Sequence, residues 1–428
     1  MLDDEGLAYL DYTGAALPPR SLIERHARLL TTTTYGNPHS SNPASARSCQ
    51  VLTEARDAVR EFFSADPAAY EVIFTANATA AIRLVAESFP FAGDSEVIVA
   101  ADNHNSVNGI REYALRRGAT TRYLPLDEHL RFRFPIDAVA KGPSLFAYPA
   151  QSNFSGARHS LRFIEHAQRR GYRVLLDAAA YVPGARLNLA EVSPDFLCVS
   201  FYKMFGYPTG VGALLVKKDA ISALERPWFS GGTVDFASTQ LSRHQLTAGP
   251  EAFEDGTPPF SALCAVVAGL RFLADLGMDS VARHNSALFE HMFEKLAALR
   301  HGNGKAIVRI YGDPTSPWGS ALAFNILTRE GATIPYADVE RSAAESGIAL
   351  RGGCFCNPGC AETALEFPME AANACLRKLQ GHAFTPERFG KCMGRPAGAI
   401  RVSLGIANTR EDVDRVIGFV KGYASAHL

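Results

Sequence analysis

The chain has 428 residues, 47% hydrophobic and 20% charged, with 43 basic against 44 acidic side chains. A net charge of −1 offers no electrostatic footprint for nucleic acid or an anionic membrane surface. No run approaches the ~18 apolar residues of a membrane span, and the acidic N-terminal "MLDDEGLAYLDYTG" lacks the basic flank and apolar core of a secretion signal. The length predicts two or three domains, and the composition a compact cytoplasmic protein whose eight cysteines stay reduced.

In chain order, "RSCQVLTEARDAVREFF" (47–63) puts Val51, Leu52, Ala55, Val59, Phe62 and Phe63 at helical spacing. "YEVIFT" (70–75) reads as a strand and "ATAAIRLVAESF" after it as a helix. "EVIVA" (96–100) is a strand, followed by "DNHNSVNGI" and a basic amphipathic run to Arg117. "SLFAYPA" (144–150) is a strand, and "LRFIEHAQRRG" (161–171) a helix with a glycine stop. "YRVLLDA" (172–178), "DFLCVSF" (195–201) and "GALLVKK" (212–218) are three more strands. This alternation predicts an α/β fold with a mostly parallel sheet covered by helices. A long helical region at 259–300 precedes "ALAFNI" (321–326), "ALRGG" (349–353) and "AIRVSLG" (399–405), a smaller α+β unit. We expect a large domain at 16–295, with 1–15 and 296–428 forming the small one.

Ligands of open α/β sheets bind beyond the carboxyl ends of the strands. Reading each strand to its end yields a helix start at Ala78 and Thr79, His104 in "DNHN", Asn153 in "QSNFSG", Asp177, and Lys203 just after Ser200. Singly these residues are ambiguous. Thr79 fits a helix cap or a phosphate site, His104 a satisfied surface or core residue, and Asp177 a structural cap. Lys203, the only charge between Asp195 and Lys217, either snorkels to solvent or is desolvated. Desolvation lowers an amine's pKa and makes it the nucleophile a Schiff base requires. Together they suit pyridoxal phosphate, which needs an amine, an anion beside its pyridinium nitrogen and N–H groups for its phosphate.

From residue 9 to 414 the chain resembles the class V aminotransferase group of pyridoxal phosphate enzymes, fold type I. Within it the chain is similar to the cysteine desulfurases, most of all the NifS-like domain of molybdenum cofactor sulfurases. The stretches that carry this include "YLDYTGAALPP", "FTANATAAIRLV", "DNHNSV", "QSNFSG", "LLDAAAYVP", "SFYKMFGYPTGVGALL", "FSGGTV", "LRGGCFCNPGC" and "RVSLGIANTREDVD". The resemblance implies a large domain with a seven-stranded sheet and a small α+β domain. It implies that Lys203 links the cofactor, Asp177 pairs with the ring nitrogen and His104 stacks on the ring. Thr79, Ala78 and Ser200 would hold the phosphate. Asn153 would lie near the ring oxygen and the substrate carboxylate, and Arg401 would grip that carboxylate through a bidentate fork. Thr233 would approach the phosphate of a neighbouring subunit in a homodimer. Cys356 would take sulfur from L-cysteine as a persulfide, leaving alanine, and pass it to an acceptor protein or cofactor. Ala180 and Tyr202 depart from the Gln and His that many cysteine desulfurases carry there. A C–S lyase, an epimerase or another biosynthetic class V enzyme is the alternative on the same fold.

"RGGCFCNPGC" (351–360) holds three cysteines within seven residues, open to a metal, a disulfide or a reactive thiolate. Structural zinc prefers paired C-x₂₋₄-C units, whereas the spacing here is C-x-C-x₃-C and the next histidine downstream is His382. We therefore expect no metal. We expect Cys356 as the acting thiol with Arg351 beside it, Cys354 facing away and Cys360 as a possible second acceptor.

Overall fold

The computed structural model describes residues 5–133, 138–381 and 384–424; His382 and both chain ends lie outside them. After β1 (Ala8–Tyr9), helices α1 (Arg20–Thr32) and α2 (Pro43–Phe63) lead to the main sheet. Asn42 caps α2 by accepting from the Ala44 and Ser45 N–H groups, Pro43 sits where no N–H is needed, and Ser64 in the left-handed region ends the helix.

Seven strands form the sheet: β2 (Tyr70–Thr75), β3 (Glu96–Ala100), β4 (Thr120–Leu124), β5 (Ser144–Pro149), β6 (Tyr172–Asp177), β7 (Phe196–Ser200) and β8 (Gly212–Lys217). Their order is β2-β8-β7-β6-β5-β3-β4, and β8 alone runs against its neighbours. The carboxyl ends of the other six therefore share one edge. The edge strand β4, "TTRYL", is the one that apolar runs do not reveal, because only Leu124 of it is buried.

The strand period of two sends alternate residues into two cores. Ile98, Leu197 and Val199 pack with Val51, Leu52, Ala55, Val59 and Phe63 of α2. Val97, Val99 and Phe196 pack with Ala81, Ile82 and Val85 of α3 (Ala78–Ser88). Short helices α4 (Asn105–Asn108), α5 (Ile110–Arg116), α6 (Arg162–Gln168) and α7 (Phe201–Phe205) fill the crossovers. A hairpin of β9 (Val234–Ala237) and β10 (His244–Leu246) follows.

The long helical region is two helices, α8 (Phe260–Leu276) and α9 (Met278–Ala298), bent by 69° at Gly277. No single helix among the described residues is long and apolar enough to cross a membrane. Leu288, Phe289, Met292 and Leu296 of α9 belong to a separate core, so a boundary at 295/296 falls inside a helix. That core backs a sheet of β11 (Val308–Ile310), β12 (Ala321–Ile326), β14 (Arg351–Gly353) and β15 (Ala399–Ser403), in the order β11-β12-β15-β14. β1 pairs in parallel with β13 (Ile348–Ala349), which brings the first strand into the smaller unit. Helices α10 (Tyr336–Glu345), α11 (Pro358–Ala364), α12 (Met369–Lys378), α13 (Pro386–Met393) and α14 (Arg410–Gly422) complete it.

One expectation is overturned here. The eight cysteines are not all reduced: Cys375 of α12 and Cys392 of α13 form a disulfide, their Cα atoms 5.9 Å apart. Both helices close on a small apolar core around Ala372 and Phe389, which sets the two thiols face to face. Cys354, Cys356 and Cys360 are free.

Candidate active site

The shared strand edge opens on a cavity of about 610 Å³, mouth included, lined by Ala78, Thr79, His104, Asn153, Asp177, Ser200 and Lys203. Asn77, Ser106, Gln151, Ala180 and Tyr202 also line it, a set that reading strand ends does not find. Each side chain arrives by a local device. Asn77 caps α3 by accepting from Ala80 N, which turns the first N–H groups of the helix to the cavity end. The Ser200 hydroxyl accepts from Ala78 N at 2.8 Å and ties that turn to β7. Gly212 allows the approach, since a Cβ there would lie 2.6 Å from the Asn77 Cα. Thr79 Oγ1 is 2.7 Å from Ser106 Oγ, and Ser106 N donates to His104 Nδ1 at 3.2 Å.

Asp177 is 8% exposed at the end of β6, its Oδ1 accepting from Ala179 N at 3.0 Å. Lys203 sits in α7 between buried Phe201 and Met204, and it reaches solvent only partly, along the cavity. Burial pushes its amine pKa down; Asp177 opposes this, Arg401 and Arg351 reinforce it, and Asp11 opposes it weakly. Burial also lowers His104, with Asp177 opposing and Lys203 adding to the shift. A lysine and an imidazole, both biased by burial toward their neutral forms, thus face one carboxylate.

The smaller unit closes the other side. Arg401 of β15 is 2% exposed; its Nη1 donates to Asn153 O at 2.6 Å and its Nη2 to Asp11 Oδ1 at 2.8 Å. Its Nε is buried without a partner, so the guanidinium keeps donors available for an incoming carboxylate. Asp11 also takes Arg351 Nε at 2.9 Å and Nη2 at 2.6 Å. Arg351, expected beside the thiol, is paired with Asp11. Asp11 is a residue that sequence reasoning missed. It sits within a quoted motif, but its partners lie 340 and 390 positions away.

The cysteine loop lies against this corner. Phe355 and Cys356 have φ of 54° and 56°. Two successive non-glycine residues in the left-handed region are unfavourable by roughly 1–2 kcal/mol each. Cys356 is exposed, Cys354 is exposed and Phe355 is buried, its ring 4.7 Å from the Arg401 guanidinium. Cys360 is fully buried, and burial with Asp102 nearby pushes its thiol pKa well above the ordinary value. A second accepting role for Cys360 is thereby corrected, since an un-ionised, inaccessible thiol is a poor nucleophile. The Asn153 amide is committed to the loop: Nδ2 donates to Phe355 O at 2.6 Å and Oδ1 accepts from Asn357 Nδ2 at 3.0 Å. Thr233 is buried, its hydroxyl donating to Ser230 O at 2.9 Å, and does not line the cavity of its own chain. Among the described residues no group of three or more His, Cys, Asp or Glu is arranged to hold a metal ion.

A desolvated amine, a buried carboxylate and a helix start within one cavity fit pyridoxal phosphate by the chemistry of the donors. Fold and site together define a pyridoxal-phosphate-dependent enzyme of fold type I. The family model for aminotransferase class V matches residues 8–416, and the chain belongs to that family. It is 36% identical to a molybdenum cofactor sulfurase of Solanum lycopersicum over 96% of this chain and 55% of that protein. It is 34% identical to the Arabidopsis thaliana molybdenum cofactor sulfurase over 97% of this chain and 56% of that protein. The chain thus spans about half the length of the curated relatives it matches. Among solved structures, a cysteine desulfurase from Thermococcus onnurineus superposes with a TM-score of 0.79 at 23% identity, covering 98% of this chain and 95% of that one. A cystine C–S lyase has a TM-score of 0.75 at 17% identity, covering 97% of each chain. Both likenesses carry the fold.

Proposed function

We propose that this chain is a cysteine desulfurase of the sulfurase-like kind, moving the sulfur of L-cysteine onto Cys356 and leaving alanine. The observation that carries the reading is the accessible Cys356 thiol on a loop bonded to Asn105 and Asn153, beside the lysine cavity. The similarity to molybdenum cofactor sulfurases supports it. Lys203, Asp177, His104, Ser200, Thr79 and the N–H groups of Ala78 and Thr79 would hold the cofactor, with Asn153 reaching it only through the second N–H of its amide. When bound, the cofactor supplies an electron sink for the substrate's carbon skeleton.

The chain's residues do the rest. Arg401 grips the α-carboxylate with its remaining N–H donors and orients the amine toward Lys203. Lys203, biased by burial toward its neutral form, takes the proton from the substrate Cα. Cys356 gives up its thiol proton and its sulfur bonds the substrate sulfur. The Cβ–S bond breaks, its electron pair with a proton equivalent to the one Cys356 gave up completes the methyl group, and Lys203 returns its proton to Cα to give alanine. The substrate sulfur ends as the outer atom of a persulfide, so no external oxidant or reductant is needed. The persulfide then passes to a protein or cofactor acceptor.

We also read the chain as cytoplasmic and as a homodimer in which Thr233 approaches the partner's cofactor phosphate. Supporting the dimer, the segment around Thr233 exposes Trp228, Phe229, Phe236 and Leu241, an apolar set suited to a second copy.

The test is incubation of the purified protein with L-cysteine, quantifying alanine against pyruvate and mapping any mass gain of one sulfur atom. We expect alanine, with the adduct on Cys356. Cys356→Ala should keep the yellow cofactor absorbance and lose alanine formation by roughly 10²-fold or more. Pyruvate without an adduct would overturn the reading in favour of a C–S lyase.

A further inference from the structure

Asp102 follows β3 and is completely buried, yet it lies outside the cavity lining. Its Oδ1 accepts from Ser152 Oγ at 2.8 Å and Asn357 Nδ2 at 2.6 Å, and its Oδ2 accepts from His159 Nε2 at 2.7 Å. These three donors, with the Cys360 thiol also bonded to Asp102, satisfy a desolvated carboxylate without water. Two of them are anchored in the large unit. The Ser152 hydroxyl also accepts from Phe154 N at 3.2 Å and Ser155 N at 3.1 Å, and the His159 ring packs 4.5 Å from Phe132. The third, Asn357, adjoins Cys356. Asp102 is thus where the thiol loop is fastened to the sheet.

The geometry around that fastening is specific. Asn105 N donates to Cys356 O at 2.7 Å. His104 therefore stands between two residues that both hold the cysteine loop. Gly359 packs against the Ala101 carbonyl so closely that any side chain there would collide with it. Phe355 and Cys356 keep their left-handed backbone between these attachments.

We propose that Asp102 is a positioning residue for sulfur transfer, locking Cys356 and His104 into one frame through Asn357. The proposal rests on the desulfurase reading. The carboxylate does not touch the substrate; it sets where the thiol stands when the substrate sulfur is offered. A loose loop leaves cofactor and substrate binding intact while lowering the fraction of time the thiol is in line.

The experiment uses the full chain with Asp102→Ala, Asn357→Ala and Asp102→Asn. In Asp102→Asn the new amide can accept from Ser152 and Asn357 and donate to His159, provided that imidazole changes tautomer. Three quantities are read: L-cysteine binding, from the change in cofactor absorbance; the single-turnover rate of persulfide formation; and deuterium uptake over 354–360 in cofactor-free protein. In both alanine variants we expect binding within about twofold of wild type, persulfide formation slower by about 10- to 100-fold and exchange faster by about tenfold. Asp102→Asn should recover most of both losses. Should Asp102→Ala fail to fold, Asn357→Ala carries the test: it leaves Asp102, Ser152 and His159 in place, and Asn153→Ala is run beside it because Asn357 also donates to Asn153 Oδ1 at 3.0 Å and caps α11 through Cys360 N. Wild-type transfer and exchange in Asn357→Ala overturns the proposal and leaves the desulfurase reading standing. Loss of cofactor binding in Asn357→Ala that Asn153→Ala does not reproduce also overturns it, by making the network a general prop. A wild-type chain that forms no persulfide overturns the desulfurase reading and the transfer role of Asp102 with it.

Discussion

The cavity floor and the thiol loop face each other but are built differently. The floor is regular: Asp177, Ser200 and Lys203 sit at or just past the ends of adjacent parallel strands, and Asn77 caps α3 beside them. The loop is irregular: Cys356 hangs on side-chain and backbone bonds from Asn105, Asn153 and Asp102, with two residues in the left-handed region. A sheet edge positions groups by packing that no single side chain controls. A loop positions its thiol by a few hydrogen bonds, each open to individual removal. Damage to the floor should abolish both binding and chemistry, whereas damage to the loop should separate them.

The largest effect should come from the floor. Lys203→Ala should lose the yellow absorbance and turnover by roughly 10³-fold or more, while circular dichroism reports an intact fold. Cys356→Ala keeping the colour and losing the product is the matching result on the loop. An equal loss of colour in both would erase the distinction between the two regions.

At the corner joining the regions, Arg401→Lys should raise the KM for L-cysteine by about 10- to 100-fold with a smaller change in kcat. A lysine ammonium cannot reproduce the fork that meets Asn153, Asp11 and a carboxylate together. Steady-state kinetics check the split, and a fall in kcat alone would contradict it.

The smallest effect belongs to the scaffold beneath the floor. Glu254 accepts from Arg56 Nη2 and from Phe74 N, each at 2.8 Å, and both contacts favour the carboxylate. Burial outweighs them and pushes its pKa up to about 7. The folded state thus holds this proton more tightly than the unfolded chain. The resulting stabilisation is complete below the ordinary carboxyl pKa and is lost as pH rises through about 7. The denaturation midpoint of the wild type should fall further from pH 5 to pH 8 than that of Glu254→Gln, by thermal or urea melts at each pH.

The floor was legible in the sequence because its information is local. An apolar run followed by one polar residue announces a buried strand and the group at its end. Parallel alternation with helices sends those ends to one edge. Strand β4 escaped the same reading because an edge strand need not be apolar. The cysteine cluster was visible as a motif, but three thiols at C-x-C-x₃-C spacing carry no mark of which is exposed. Packing sets one apart: Cys360 is sealed beside Asp102, while Cys354 and Cys356 both lie open.

The sequence by itself determined the fold class, the cofactor chemistry and the order in which its ligands appear, since each follows from neighbours within a few residues. The tertiary structure alone decided which distant residues pair, within the small unit and between the two units. Asp11 meets Arg401 across 390 positions, Asp102 meets Asn357 across 255, and Cys375 finds Cys392 through the packing of two helices. Contacts between distant segments impose no periodicity on either one. Which acid meets which base is set by where the folded chain buries both, and a desolvated charge must find its partner there.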